Sequence, residues 1–477
     1  MLKQQKIFFD FLRFCIGSAK EIPDSLKDAD WKELYAIAQK QALLGVQFYG
    51  IRRLPKELAP EQKLLMQWMA MAEMIRKQNI KLFQDSVKVC QNFENEGFAN
   101  CILKGQGNAL LYPDPYMRTP GDIDIYLWGG RKKIMKYVDQ VCPNQVMRYH
   151  HVDFPVMKTA IEVHFTPSYM FCPINNRRMQ KWFKEVMGEQ CAHRVSLPDG
   201  YREIHVPQVS FNVIYILSHL YRHIFTEGIG LRQLLDYYYV VCDFCKVYQI
   251  SSNHLSNFSN SSVSLSKGSS TFSQSPSFSE SGDVTALSAE FFESPRPSLA
   301  KEGSTFHPSP LSSEERDVTA LRCSEPLRYK VGGASKPSPG CAGWDRLDGS
   351  GDTSFAAGAS SVALGVVQRE LKHLGLWKFA QAVMFVMKEV FGLSEDRMIA
   401  PMDEKEGRFL LDEIMRGGNF GQYDDRMGSK VGESKIHRYF RMNLRNLRFV
   451  KHYPTEAVYE PVFRTWFAGW KFINRIK

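Results

Sequence analysis

The chain has 477 residues, 44% hydrophobic and 23% charged, enough apolar material for a large buried core in two or three folded units. Lys and Arg outnumber Asp and Glu by 61 to 51, and this formal +10 suits a polyanionic partner such as a nucleotide or nucleic acid, and equally an ordinary solvated surface. No segment reaches the roughly 18 uninterrupted apolar residues of a membrane helix, and Asp10 and Arg13 interrupt the first apolar run, which excludes a secretory signal there. A cytoplasmic protein with no membrane partner is expected.

Residues 1–95 form an expected N-terminal helical region. Apolar residues recur at three- and four-residue spacing from Trp31 to Leu44, behind Asp28 and Asp30 as candidate caps, and a second pattern runs from about Glu61 through Phe93. Residues 96–210 change character. Short β-type runs at Asn100 to Leu103, Ile123 to Trp128, Met147 to Phe154 and Ala160 to Phe165, with helices at about 105–112 and 130–141, argue for an α/β sheet domain. Residues 211–246 and 366–477 read as one helical domain, interrupted by a Ser-, Pro- and Gly-rich stretch at 247–365. That stretch holds too few apolar residues to offset its ordering entropy and is expected to be a disordered insertion. It carries a repeat, Asp283 to Leu287 recurring as Asp317 to Leu321. Near the end, Arg438, Arg441, Arg445, Arg448 and His452 form one helical face, with Phe440, Leu444 and Leu447 on another; the basic face (438–452) is a candidate RNA surface or a solvated stripe.

The chemistry concentrates in residues 101–125 and 161–165. Alternation along a strand projects Asp122 and Asp124 together, with Ile123 and Ile125 packed behind them. Two close carboxylates repel unless a cation sits between them, and hard divalent cations choose oxygen ligands. A later strand offers Glu162 and His164 on one face, so that a neighbouring placement would converge three carboxylates on one cavity. Such a triad can hold two Mg²⁺ or Mn²⁺ ions. His219 and His223, at i and i+4, resemble half a zinc site without a third ligand at the right spacing and read as a hydrogen-bonded helix pair. Cys242 and Cys245 lack the second pair that a zinc site needs.

The order Leu103-Lys104-Gly105, Tyr112-Pro113, Arg118-Thr-Pro-Gly121-Asp122-Ile-Asp124, Glu162-Val-His164 and Gly228-Ile-Gly-Leu-Arg232-Gln-Leu-Leu-Asp236 resembles the uncharacterised nucleotidyltransferase family of the DNA polymerase β-like superfamily. The resemblance implies an α+β fold, with a small mixed sheet flanked by N-terminal and C-terminal helices, that transfers a nucleoside monophosphate from an NTP, ATP favoured, and releases pyrophosphate. By position, Asp122 and Asp124 would bind both metals and Glu162 would complete the triad as ligand or base. Gly105 would open a phosphate-binding helix, Lys104 and Arg118 would neutralise phosphate charge, and Gly121 lies within the nucleotide-binding motif. Arg232 and Asp236 either pair with each other or close over the nucleotide. The pattern departs from the superfamily in carrying Gln106 after Gly105, and Glu as its third carboxylate. The acceptor is open: a small molecule, a protein or an RNA end. A non-catalytic nucleotide-binding module and a toxin-type enzyme acting on tRNA are the alternatives.

Overall fold

The computed structural model describes residues 2–200, 202–250, 353–426 and 434–474. The Asp283 and Asp317 repeats, and most of the expected insertion, lie outside the described residues.

Four helices open the chain, α1 (Lys3–Ile16), α2 (Trp31–Lys40), α3 (Leu44–Ile51) and α4 (Gln62–Asn95). Asp30 caps α2 by accepting from the amides of Lys32 and Glu33, at 2.9 and 3.2 Å. Asp28 instead pairs with Lys3 at 3.0 Å. The sheet region follows as β1 (Asn100–Ile102), α5 (Gln106–Ala109), β2 (Ile123–Leu127), α6 (Gly130–Val141), β3 (His151–Asp153), β4 (Ile161–His164), α7 (Pro173–Gln190), β5 (His193–Ser196) and β6 (Glu203–Val206). The expected strand from Met147 to Phe154 is three residues long; Met147 contributes only an isolated bridge to Val152.

The four-stranded sheet has the order β1-β2-β4-β3. β2 pairs antiparallel with β1 and parallel with β4, and β3 pairs antiparallel with β4. The parallel pair is closed by a crossover through α6 and β3, as parallel strands require a long connection. Ile123, Ile125, Leu127, Ile161 and Val163 pack on Phe83, Val89 and Phe93 of α4 and on Ile134 and Val138 of α6. One face of the sheet is thereby sealed. The other carries Asp124, Glu162 and His164.

Five more helices come next among the described residues: α8 (Val209–Thr226), α9 (Leu231–Val247), α10 (Thr353–His373), α11 (Trp377–Val386) and α12 (Glu404–Gly417). α13 (Lys435–Val450) and α14 (Pro454–Ile473) follow. α10 begins 13 residues before the expected resumption at 366, because Ala and Ser in the Thr353–Val366 stretch are compatible with helix without an apolar stripe. A single hydrophobic cluster joins Phe8 and Phe11 of α1, Tyr215 and Phe225 of α8, Leu234 of α9, Phe379 of α11 and Phe449 of α13. The N-terminal and C-terminal helices therefore share one core. Among the described residues, no helix is long and apolar enough to cross a membrane.

Candidate active site

The β2–β4 register aligns Asp124 with Glu162 and Tyr126 with His164. His164 Nε2 lies 3.0 Å from Asp124 Oδ1 and 3.5 Å from Glu162 Oε2, and Lys104 Nζ, two residues beyond β1, lies 2.9 Å from Asp124 Oδ1. Burial alone would raise the Asp124 carboxyl, but Lys104 and His164 outweigh it and hold the group well below the usual carboxylate range. Burial also opposes the charged form of His164, and its hydrogen bonds to the two carboxylates overcome that and raise it.

Asp124, Glu162 and His164 offer ligand atoms within 4.8 Å of one another and could hold a metal ion. Asp122 joins no such group among the described residues. It stands one residue before β2, so the strand's alternation does not fix its side chain as the sequence pattern implied. Burial and then the Asp124 charge push its carboxyl up to about 6. Of the triad expected from the sequence, Asp124 and Glu162 are gathered with His164, and Asp122 stands beside them.

Gly105 adopts φ +60° and ψ −97°, a turn that L side chains rarely take, and sends the chain into α5. α5 is a single turn of four residues. The helix expected at about 105–112 is thus shorter, and what it offers a phosphate is the local amides of Gln106 and its neighbours.

Arg118, expected to face phosphate, is committed elsewhere. Its Nε and Nη2 each lie 2.8 Å from the carboxylate of Asp236, which also accepts from Tyr112 Oη at 2.6 Å and Arg232 Nη1 at 3.3 Å. Arg232 and Asp236 do pair, and Arg118 makes the stronger, two-pronged contact. Two guanidinium groups share one carboxylate, leaving one positive charge in excess. Arg232 lies over the Phe420 ring at 5.5 Å, and its Nε is buried with no hydrogen-bond partner among the described residues. Gly121 lies beside it: a Cβ there would sit 3.9 Å from Arg232 Nη2, an ordinary contact that does not itself require glycine.

On the other side, Lys104 Nζ lies 3.1 Å from His219 Nε2. Arg222 Nη2 lies 3.3 Å from His219 Nδ1 and 3.1 Å from His223 Nε2, and His223 Nδ1 lies 3.1 Å from Glu227. The expected histidine pair on α8 is thus bridged by an arginine and continues the acid cluster along the helix. Burial, with Lys104 and Arg222 nearby, lowers both histidines and keeps them neutral. Lys104 also lines a mostly apolar cavity of about 310 Å³ between the α5 turn, the β5–β6 hairpin and α8, with Asn108 and Asn212 among its walls.

Three side chains close to the cluster, His150, His151 and Arg222, carried no signal in their own spacing; the His150-His151 doublet beside a strand was the available clue. Of the candidate RNA stripe, Arg445 turns inward: it is 5% exposed and its Nη1 donates to the Ile224 carbonyl, with Asp424 3.8 Å away. Arg438 and Arg448 stay exposed, Arg448 pairing with Glu413 at 2.9 Å, and His452 pairs with Glu406 at 2.7 Å. Those two acids lie on α12, and Phe440, Leu444 and Leu447 are exposed as well.

Residues 27–246 match the model of a family described as uncharacterised nucleotidyltransferase. The matched region runs through α9 and contains every residue of the acid cluster and of its two cationic flanks. No significant match exists among curated proteins or among solved structures.

Proposed function

We propose that the protein is a polymerase β-like, divalent-metal-dependent nucleotidyltransferase that moves a nucleoside monophosphate from an NTP, ATP first among candidates, to an acceptor hydroxyl with release of pyrophosphate. The observation that carries this reading is the parallel β2–β4 register. It aligns Asp124 with Glu162 on one face, beside Lys104, inside the region matched by the nucleotidyltransferase family.

The donor set fits a divalent cation: two carboxylates and an imidazole with ligand atoms within 4.8 Å. Asp124, Glu162 and His164 would hold it, and Asp122 is the carboxylate left to complete the oxygen set once a cation offsets its repulsion with Asp124. Bound there, Mg²⁺ or Mn²⁺ supplies charge neutralisation to the triphosphate and lowers the pKa of an attacking hydroxyl. Lys104, paired with Asp124 at 2.9 Å, would stand beside the cation as a positive charge for the triphosphate. Arg232, with its spare charge, binds phosphate from the other flank. Arg118 orients it through Asp236 rather than touching the nucleotide.

Purified protein incubated with Mg²⁺ or Mn²⁺ and α-labelled NTPs should form a labelled product, and Asp122→Asn with Asp124→Asn should reduce labelling by at least about 100-fold, the scale of a lost counterion to transition-state charge. Equal labelling by the double variant would remove the assignment.

A further inference from the structure

The residues beside the carboxylate position are richer in nitrogen than a site for hard cations requires. His150, His151 and His164 are 4%, 7% and 0% exposed, and each offers a ring nitrogen within 4.8 Å of the other two. Consecutive residues of a strand point to opposite faces. His150 and His151 nevertheless turn into one cluster, because the backbone bends at 149–150 before β3 begins. His150 Nε2 lies 3.3 Å from His151 Nδ1.

We propose that His150, His151 and His164 form a second metal position, taking a borderline transition cation, Zn²⁺ first, next to the carboxylate position. Imidazole selects such ions where carboxylate and carbonyl select Mg²⁺. The burial of the set excludes competing water. Asp153, 4.0 Å from His151 Nε2, is placed to orient that ring from outside. His164 belongs to both positions, which ties them to one strand. This inference goes beyond the transfer reaction and is separable from it.

The test uses the full chain, stripped of metal and titrated with Co²⁺ while visible absorption is followed. One equivalent should give the intense bands of tetrahedral Co²⁺, displaced by Zn²⁺ and not by a large excess of Mg²⁺. His150→Gln and His151→Gln should each weaken binding at least about 10-fold, with circular dichroism and thermal melting of the metal-free variants confirming the fold. Should His150→Gln fail to fold, His151→Gln on the edge strand carries the comparison. Absence of stoichiometric Co²⁺ or Zn²⁺ binding, an octahedral spectrum, or binding untouched by the folded variants would overturn the proposal, even in protein that transfers nucleotide with Mg²⁺. Tetrahedral Co²⁺ lost on His151→Gln, in protein that transfers nothing, would support this site while removing the proposed reaction.

Discussion

At the scale of single residues, Asp236 holds together more than its position suggests. It accepts from Arg118, Arg232 and Tyr112 in a fully buried setting. Asp236→Asn leaves two buried guanidinium groups without their counterion, and a loss of about 3–5 kcal/mol is expected by urea denaturation. Burial opposes the ionised form of Asp236, but Arg118 outweighs it and lowers the carboxyl, so its contribution is complete above its unfolded value near 3.9 and fades as pH falls through the folded one. Gly105→Ala should cost on the order of 1–3 kcal/mol, because the positive φ disfavours a Cβ there. The residue chemistry was only partly legible. Asp122, Asp124 and Glu162 stand out by spacing, and the Arg232–Asp236 pairing follows from i,i+4 geometry. Arg118 lies 118 positions from its partner, and nothing local distinguishes an arginine that meets phosphate from one that meets a buried carboxylate.

At the scale of elements, strands and helices were readable where one face is apolar. α6 matches the pattern at 130–141, and β2 and β4 fall within the expected runs. Their parallel pairing was not readable, since alternation fixes which residues share a face and leaves the neighbouring strand open. α13 shows the same limit. Its two faces were visible, yet what turns Arg445 inward is the Ile224 carbonyl and Asp424. Arg445→Met should therefore destabilise by about 1.5–3 kcal/mol, the range for hydrogen bonds to a charged group. Leu444→Lys on the exposed face, 66% accessible, should stay within about 0.5 kcal/mol. Equal effects at the two positions, measured by thermal melting, would reverse the assigned orientation.

For the molecule as a whole, one core spans both ends of the chain, and four histidines, His150, His151, His219 and His223, are buried and held below their ordinary value, chiefly by burial. Unfolding frees each to bind a proton near its ordinary value of 6.5. Between that value and the lower folded one the unfolded state holds more protons, so stability falls with falling pH by up to about 1.4 kcal/mol per unit per group. His164, which is raised, works in the opposite sense, and the four outnumber it. The urea midpoint of metal-free protein is expected to drop between pH 7.5 and 6; a flat or rising midpoint would show that these rings are charged in the fold. The same histidines explain why the site outran the sequence: their role depends on which helix covers the open face of the sheet, and α8 does so from 45 or more residues downstream of β4. The central claim is that this face is where an NTP and its cation meet. Crystals grown with a non-hydrolysable NTP and Mn²⁺ test it most directly. The account predicts an anomalous Mn²⁺ peak between Asp124 and Glu162 with the triphosphate reaching Lys104 and Arg232, and a metal and triphosphate bound away from these residues would contradict it.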